Sequence, residues 1–305
     1  MYYFIYFIIK TLSYIPFWML YAISDIMYYL LYYVIRYRRE IVRKNLTESF
    51  PEKSLSEIIT IEKKFYRFFM DMLLESSKIA SISPDEMKKR MKFVNIDKTN
   101  KLLDEGKSLA FFMGHFCNWE WMTSVGLWIK DDVVCAQVYH KLINETFDKI
   151  IKQMRERMGN TCVEMRQTAR FVASMKAENK ACMVALIADQ SPKRRQIKHY
   201  VKFLNHMVPV LVGPEKITNH FGYMPIFVNA KRVKRGYYEC EFSLLHNDPT
   251  SLPDYKLTDL YFERLEDEIR KRPECYLWTH NRFKYAKPFF MSPLKTQKNA
   301  DARRA

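Results

Sequence analysis

The chain has 305 residues, 48% of them hydrophobic, so it can form a packed core and is not a disordered chain. Fifty Lys and Arg residues against 34 Asp and Glu give a formal net charge of +16 and a pI near 9.4. This surplus predicts an anionic partner, either nucleic acid, acidic lipid headgroups or an acidic protein, and charge alone does not choose among them.

The amino-terminal segment is strongly apolar and predicts a membrane anchor over residues 1–36. Residues 11–35 carry a single formal charge, Asp25, and are long enough to cross a bilayer, which needs about 20 residues. The cationic run "RYRREIVRK" that follows from Arg36 favours a cytoplasmic location for the remainder. A cleaved signal peptide is disfavoured, since there is no basic leader or small-residue cleavage site. Many tyrosines and Pro16 leave open whether the segment spans the membrane or lies in its interface.

The body, residues 37–292, reads as one α/β domain, and residues 293–305 as a disordered basic tail. A capping box of Ser54 and Glu57 predicts the start of a helix whose apolar spacing continues through Leu74.

Short apolar runs then alternate with amphipathic stretches. The runs begin at 108, 132, 181 and 224, and the helical patterns between them cover residues 118–130, 142–158, 167–178 and 207–220. Alternating strands and helices predict a mainly parallel sheet covered by helices on both faces. In such sheets, functional sites form beyond the carboxyl ends of the strands.

The cysteines occur singly and mostly among apolar neighbours. This pattern is typical of buried thiols in a reducing compartment and predicts no zinc site. The six positions are 117, 135, 162, 182, 240 and 275.

The stretch "GHFCNWEW" places His115 and Glu120 five positions apart at the end of an apolar run. On one regular helix these side chains would point about 140° apart, so we expect His115 in the turn after the strand and Glu120 in the first helical turn. The carboxylate would then hold one ring nitrogen and leave the other free to take a proton. The alternative is that the two residues only satisfy each other at a helix start.

Two motifs in this order resemble the lipid A biosynthesis acyltransferases, the lauroyl and myristoyl transferases within the wider H-x4-D/E acyltransferases. "GHFCNWEW" is similar to their catalytic block and "RPECYLWTHNRFK", from Arg272, to their carboxy-terminal signature. The resemblance covers about residues 10–290 and includes "RREIVRKNLTESFPEKS" and "VYHKLINETFDKIIKQMRERMG".

The resemblance implies an α/β acyltransferase fold with a glycerolipid-acyltransferase-like domain. It implies transfer of an acyl group from acyl carrier protein to a hydroxyl of a lipid A precursor, at the cytoplasmic face of the inner membrane. No metal or organic cofactor is implied. His115 would deprotonate the hydroxyl for direct attack on the thioester, and Glu120 would hold the imidazole.

Further candidates for substrate binding lie in three blocks. By resemblance, Arg166 in "VEMRQTAR" would bind a phosphate, for which a guanidinium is well shaped, and Asp189 and Gln190 in "IADQSPKRR" would shape the acceptor side. Asn118, inside the catalytic block, is another candidate. The sequence after Gln190 departs from the family, which often has an acidic residue or glycine there. Arg155 is interpreted as part of a cationic helix face.

Three other functions are considered. The same chemistry could act on another glycolipid or an aminolipid, Cys117 could form an acyl-thioester intermediate, or the basic chain could be a membrane-tethered nucleic-acid binder. The last lacks any recognisable nucleic-acid-binding signature.

Overall fold

The structure is a computed structural model that describes residues 2–287, so the predicted tail, residues 293–305, lies outside it. The helices are α1 (Tyr2–Tyr14), α2 (Phe17–Tyr29), α3 (Arg39–Ser49), α4 (Leu55–Lys78), α5 (Pro84–Arg90), α6 (Ile96–Asp104), α7 (Glu145–Glu156), α8 (Thr168–Ala177), α9 (Gly213–Phe221) and α10 (Lys256–Lys271). The strands are β1 (Met91–Phe93), β2 (Leu109–Met113), β3 (Val134–Tyr139), β4 (Asn160–Glu164), β5 (Cys182–Ile187), β6 (His199–Phe203), β7 (His206–Val210), β8 (Met224–Lys234) and β9 (Tyr237–Leu244). Several 3-10 helices and one π-helical turn, Leu30–Ile35, connect these elements.

A seven-stranded sheet in the order β1-β9-β8-β2-β5-β3-β4 forms the centre of the body. All neighbouring pairs are parallel except β8 and β9. Strands β8, β2, β5, β3 and β4 therefore end at one edge of the sheet, and β1 and β9 run the opposite way. The predicted mainly parallel α/β fold is confirmed, and each of the four apolar runs contains a strand.

Two of the predicted helices are wrong in part. Within 118–130 the chain forms a 3-10 helix, Trp121–Trp128, and Gly126 lies so close to the Met158 carbonyl oxygen that a Cβ there would collide with it. Within 207–220 the chain first completes strand β7 and then forms α9. Valines suit the strand, and Pro214 at the first turn favours a helix that starts later.

The other three helical predictions are confirmed by α4, α7 and α8. The capping box that begins α4 is present, with Ser54 accepting from the Glu57 amide and the Glu57 side chain accepting from Ser54. The six cysteines are free and buried, as expected.

The amino-terminal helices pack along α4 instead of projecting from the body. Tyr21 donates to Glu75 at 2.9 Å, Ser24 donates to Asp71 at 2.7 Å, and Lys78 donates to the backbone of Ser13 at 2.6 Å. Among the described residues, one helical stretch, Phe17–Ile35, is long and apolar enough to cross a membrane, and 22% of it is buried. Its outer face is lined by exposed apolar side chains, namely Trp18, Ile26, Leu30, Tyr33, Val34 and Ile35.

Candidate active site

His115 lies two residues beyond β2, in a bend at the sheet edge where the parallel strands end. The carboxy-terminal segment supports this bend, because the Cys117 amide donates to the Cys275 carbonyl at 2.8 Å and the Leu277 amide to the His115 carbonyl at 3.1 Å. Cys117 has a φ of 59°, which turns the chain sharply after the histidine. The two motifs that carry the family resemblance are therefore in contact.

The imidazole of His115 is paired with Asp189, which follows the neighbouring strand β5. Met113 and Ile187 are partners in the parallel register, so the residues two positions beyond them, His115 and Asp189, lie side by side. The His115 Nδ1 to Asp189 Oδ1 distance is 2.6 Å. The pair is thus a direct consequence of strand order and register.

Asp189 is buried and held as a carboxylate. Its side chain is 1% exposed, and Arg282 donates to its second oxygen at 3.1 Å. Burial alone would raise the pKa of Asp189, but the attraction and hydrogen bonds of His115, with the Arg282 charge, hold it well below its ordinary value. An ionised carboxylate only accepts, so the proton of the neutral imidazole resides on Nδ1 and Nε2 is left as the acceptor.

The expected contact between Glu120 and His115 is wrong. Glu120 directs its carboxylate to α7, where Arg155 donates from Nε at 3.0 Å and from a terminal nitrogen at 2.6 Å. The spacing argument considered only a partner close in sequence, whereas the chain supplies the histidine's carboxylate from 74 residues away. Glu120 instead fixes a guanidinium through a two-bond fork.

Arg155 belongs to the site and is not merely part of a cationic helix face. It lines the same cavity as His115. Burial acts to lower the pKa of Arg155, but the Glu120 carboxylate outweighs it and raises the pKa, so the guanidinium remains charged.

An apolar cavity of about 370 Å³ opens beside the imidazole. Gln190 lines it with its amide nitrogen 3.2 Å from His115 Nε2, and Trp119 packs edge-on to the imidazole with centroids 5.2 Å apart. The apolar lining residues are Val138, Leu142, Ile151, Met165, Leu186, Ile187, Leu211, Pro214 and Ile217. Such a pocket suits an aliphatic chain whose polar end meets a few placed polar groups.

The two remaining predicted substrate-binding residues, Asn118 and Arg166, do not lie together. Asn118 is fully buried, donates to Glu75 at 2.8 Å and accepts from the Trp121 amide at 3.2 Å, so it supports the loop and does not face the cavity. Arg166 is exposed on a 3-10 turn, and its neighbour Met165 lines the cavity. Arg166 therefore lies near the rim, and phosphate binding by it stays a prediction.

Cys117 is fully buried, and its nearest thiol partner is Cys275. Contact with Cys117 and burial together raise the pKa of the Cys275 thiol. A thiol at 0% exposure cannot meet a carrier-bound thioester without rearrangement of the loop, which argues against an acyl-enzyme at Cys117.

An oriented imidazole thus lies beside a mainly apolar pocket at the carboxyl edge of an α/β sheet. The family described as bacterial lipid A biosynthesis acyltransferase matches residues 1–285, nearly the whole chain. The chain belongs to this family, and its fold and acyltransferase class follow from that membership. No curated protein sequence matches it significantly.

Proposed function

We propose that the protein transfers a fatty acyl chain from acyl carrier protein directly to a hydroxyl of a lipid A precursor, with His115 as the general base. One observation carries the proposal: His115 is tied at Nδ1 to the buried Asp189 while the ring lines an apolar cavity. Family membership supports the lipid A pathway.

In this mechanism Nε2 of His115 takes the proton of the acceptor hydroxyl as its oxygen attacks the thioester carbonyl. Collapse of the tetrahedral intermediate breaks the carbon–sulfur bond, and the imidazolium returns the proton to the leaving thiolate. The Asp189 carboxylate stabilises the imidazolium between these steps. Neither a metal nor an organic cofactor takes part.

Arg155 is proposed to stabilise the negative charge that develops on the thioester oxygen. Its guanidinium lines the cavity and is fixed by Glu120 before substrate arrives, and preorganised donors of this kind contribute strongly to acyl transfer. Glu120 thereby retains a role in catalysis, as the residue that positions Arg155.

The amino-terminal segment is proposed to lie in the membrane interface at the cytoplasmic face of the inner membrane. The polar bonds of Tyr21 and Ser24 to α4 tie one face of α2 to the body, whereas a spanning helix would have to leave it. The exposed apolar face would enter the lipid, and the surplus of basic residues would add attraction to anionic headgroups.

The test is transfer of a labelled acyl group from acyl carrier protein to a lipid A precursor in vesicles. His115→Ala should lose nearly all activity, because general-base catalysis contributes about 10²–10⁴-fold. His246→Ala is the matched control, since His246 is half-buried on a loop and, within the described part of the chain, its hydrogen bonds go only to Asp248. A His115→Ala variant as active as wild type would refute the proposal. Transfer only to other glycolipids or aminolipids would refute the proposed identity of the acceptor as a lipid A precursor.

A further inference from the structure

An exposed apolar patch surrounds the mouth of the active cavity and is separate from the amino-terminal helices. Its members follow β3, begin α7 and follow β4: Leu142 is 41% exposed, Ile143 103%, Phe147 42% and Met165 47%. Leu142 and Met165 also line the cavity. Contiguous exposed apolar side chains on a folded protein mark an interaction surface.

The backbone around Ile143 is held in place, so the exposure of this side chain is built into the loop. The Leu142 amide donates to Asp148 at 2.8 Å, and the Asn144 side chain caps α7 by accepting from the amides of Thr146 and Phe147. With bonds on both sides of it, Ile143 is presented outward at the start of the helix.

Helix α7, which carries part of the patch, adjoins the amino-terminal helices that are proposed to contact lipid. Helix α7 packs on α1, where Tyr2 donates to Gln153 at 2.6 Å and Lys149 lies over the Tyr2 ring at 5.1 Å. Helix α1 exposes Phe4 and Phe7. Lys141, Lys149, Lys152 and Arg166 are exposed around the patch. Apolar side chains flanked by basic ones match a bilayer surface with anionic headgroups.

We propose that residues 142–147, with Met165, insert into the membrane surface as a second contact and set the cavity mouth at the depth of the lipid headgroups. An acceptor lipid could then enter the cavity laterally, with its hydroxyl near His115 and its acyl chains still in the bilayer. The inference extends the proposed function, but membrane depth can be measured without any acyl transfer, so the two can fail independently.

The test uses the full chain with Ile143→Cys labelled by an environment-sensitive fluorophore. The six native thiols are buried, so a surface cysteine is labelled selectively. Val94→Cys is the matched control, because Val94 is 58% exposed and follows β1, whose carboxyl end lies at the opposite edge of the sheet. Both proteins are added to vesicles of anionic and of neutral phospholipid.

With anionic vesicles the probe at 143 should shift to shorter wavelength and be quenched by lipids brominated near the headgroup, at a depth of about 5–10 Å. The probe at 94 should remain as in water. Phe147→Ser should reduce the quenching at 143 several-fold. An unquenched probe at 143 in protein that sediments with the vesicles would overturn the proposal, as would a response only to acyl carrier protein, which would identify a carrier-docking patch instead.

Discussion

At the scale of single residues, the candidate site contains two carboxylates, and each is paired with a different nitrogen-containing side chain. Asp189 serves the imidazole of His115, and Glu120 serves the guanidinium of Arg155. The imidazole and the guanidinium line one cavity, and in the proposed mechanism the first pair serves proton transfer and the second stabilises the oxyanion. Exchanging the carboxylates for amides separates the two roles.

Asp189→Asn should lower kcat by about 10²–10⁴-fold. The amide NH₂ can donate to Nδ1 and so place the ring proton on Nε2, where a base is required. Loss of the negative charge should also move the acid limb of the pH profile of kcat/KM to lower pH, because the imidazolium is no longer stabilised. Steady-state kinetics across pH checks both effects.

Glu120→Gln is the matched comparison. It should lower kcat because the amide no longer holds the Arg155 guanidinium through two charged hydrogen bonds. The acid limb of the pH profile of kcat/KM should stay in place. If Glu120→Gln shifted that limb as Asp189→Asn does, the division of roles would be contradicted and the contact first expected from the H-x4-E spacing would be favoured.

At the scale of elements, a buried hydrogen-bond cluster connects α2, α4 and the loop after β2. Glu75 of α4 accepts from Tyr21 of α2, from Tyr238 of β9 at 2.7 Å and from Asn118 of the loop. The Trp121 ring nitrogen donates to the Glu75 carbonyl at 2.9 Å. Helix α2 is thus connected through two hydrogen bonds to the segment that joins His115 and Glu120.

Tyr21→Phe should therefore lower kcat several-fold, since it removes one donor to Glu75 and loosens the Asn118 contact. Ser24→Ala removes a similar hydroxyl-to-carboxylate bond between the same two helices, but its partner Asp71 has no bond to the loop among the described residues. Each deletion should cost about 1–3 kcal/mol of stability. Equal kcat values in two variants of matched melting temperature would show that the cluster only stabilises the fold.

Sequence patterns predicted the central elements best. Strands β2, β3, β5 and β8 are apolar on both faces because helices cover the sheet, and such runs are visible in sequence. The short edge strands β1 and β4 and the β6–β7 hairpin leave no comparable run. The position of His115 followed from the end of β2, but its partner depended on β5 being the neighbour of β2, which is a property of strand order and not of local spacing.

At the scale of the whole molecule, ion pairs join the amino-terminal helices to the β8–β9 hairpin and α4. Arg235 binds Asp25 at 2.7 Å and Asp71 at 2.6 Å, and Arg232 binds Asp71 at 2.6 Å. Asp25, the one charged residue in 11–35, thus forms an ion pair with the α/β domain. The segment and the α/β domain are expected to unfold together, and one buried carboxyl group and one half-buried histidine should dominate the pH dependence of that transition.

Glu75 and His280 should contribute opposite slopes to stability. Burial raises the pKa of Glu75 from 4.5 to about 7, so the folded state binds more protons than the unfolded state in this window and Glu75 makes stability fall as pH rises. Burial, helped by the Arg282 charge, lowers the pKa of His280 from 6.5 to about 4. Between pH 4 and 6.5 the unfolded state therefore binds more protons than the folded state, so His280 makes stability rise with pH.

Because the windows overlap, we expect the free energy of unfolding of the wild type to change little between pH 4.5 and 6.5. In Glu75→Gln the free energy of unfolding should rise with pH over this range, because only the contribution of His280 remains. His280→Asn should leave the fall due to Glu75, about 3 kcal/mol in total between pH 4.5 and about 7, at about 1.4 kcal/mol per pH unit. Urea unfolding in mild detergent measures the pH dependence of the free energy of unfolding for all three proteins. If that free energy did not change with pH in Glu75→Gln, the opposite contributions assigned to Glu75 and His280 would be contradicted.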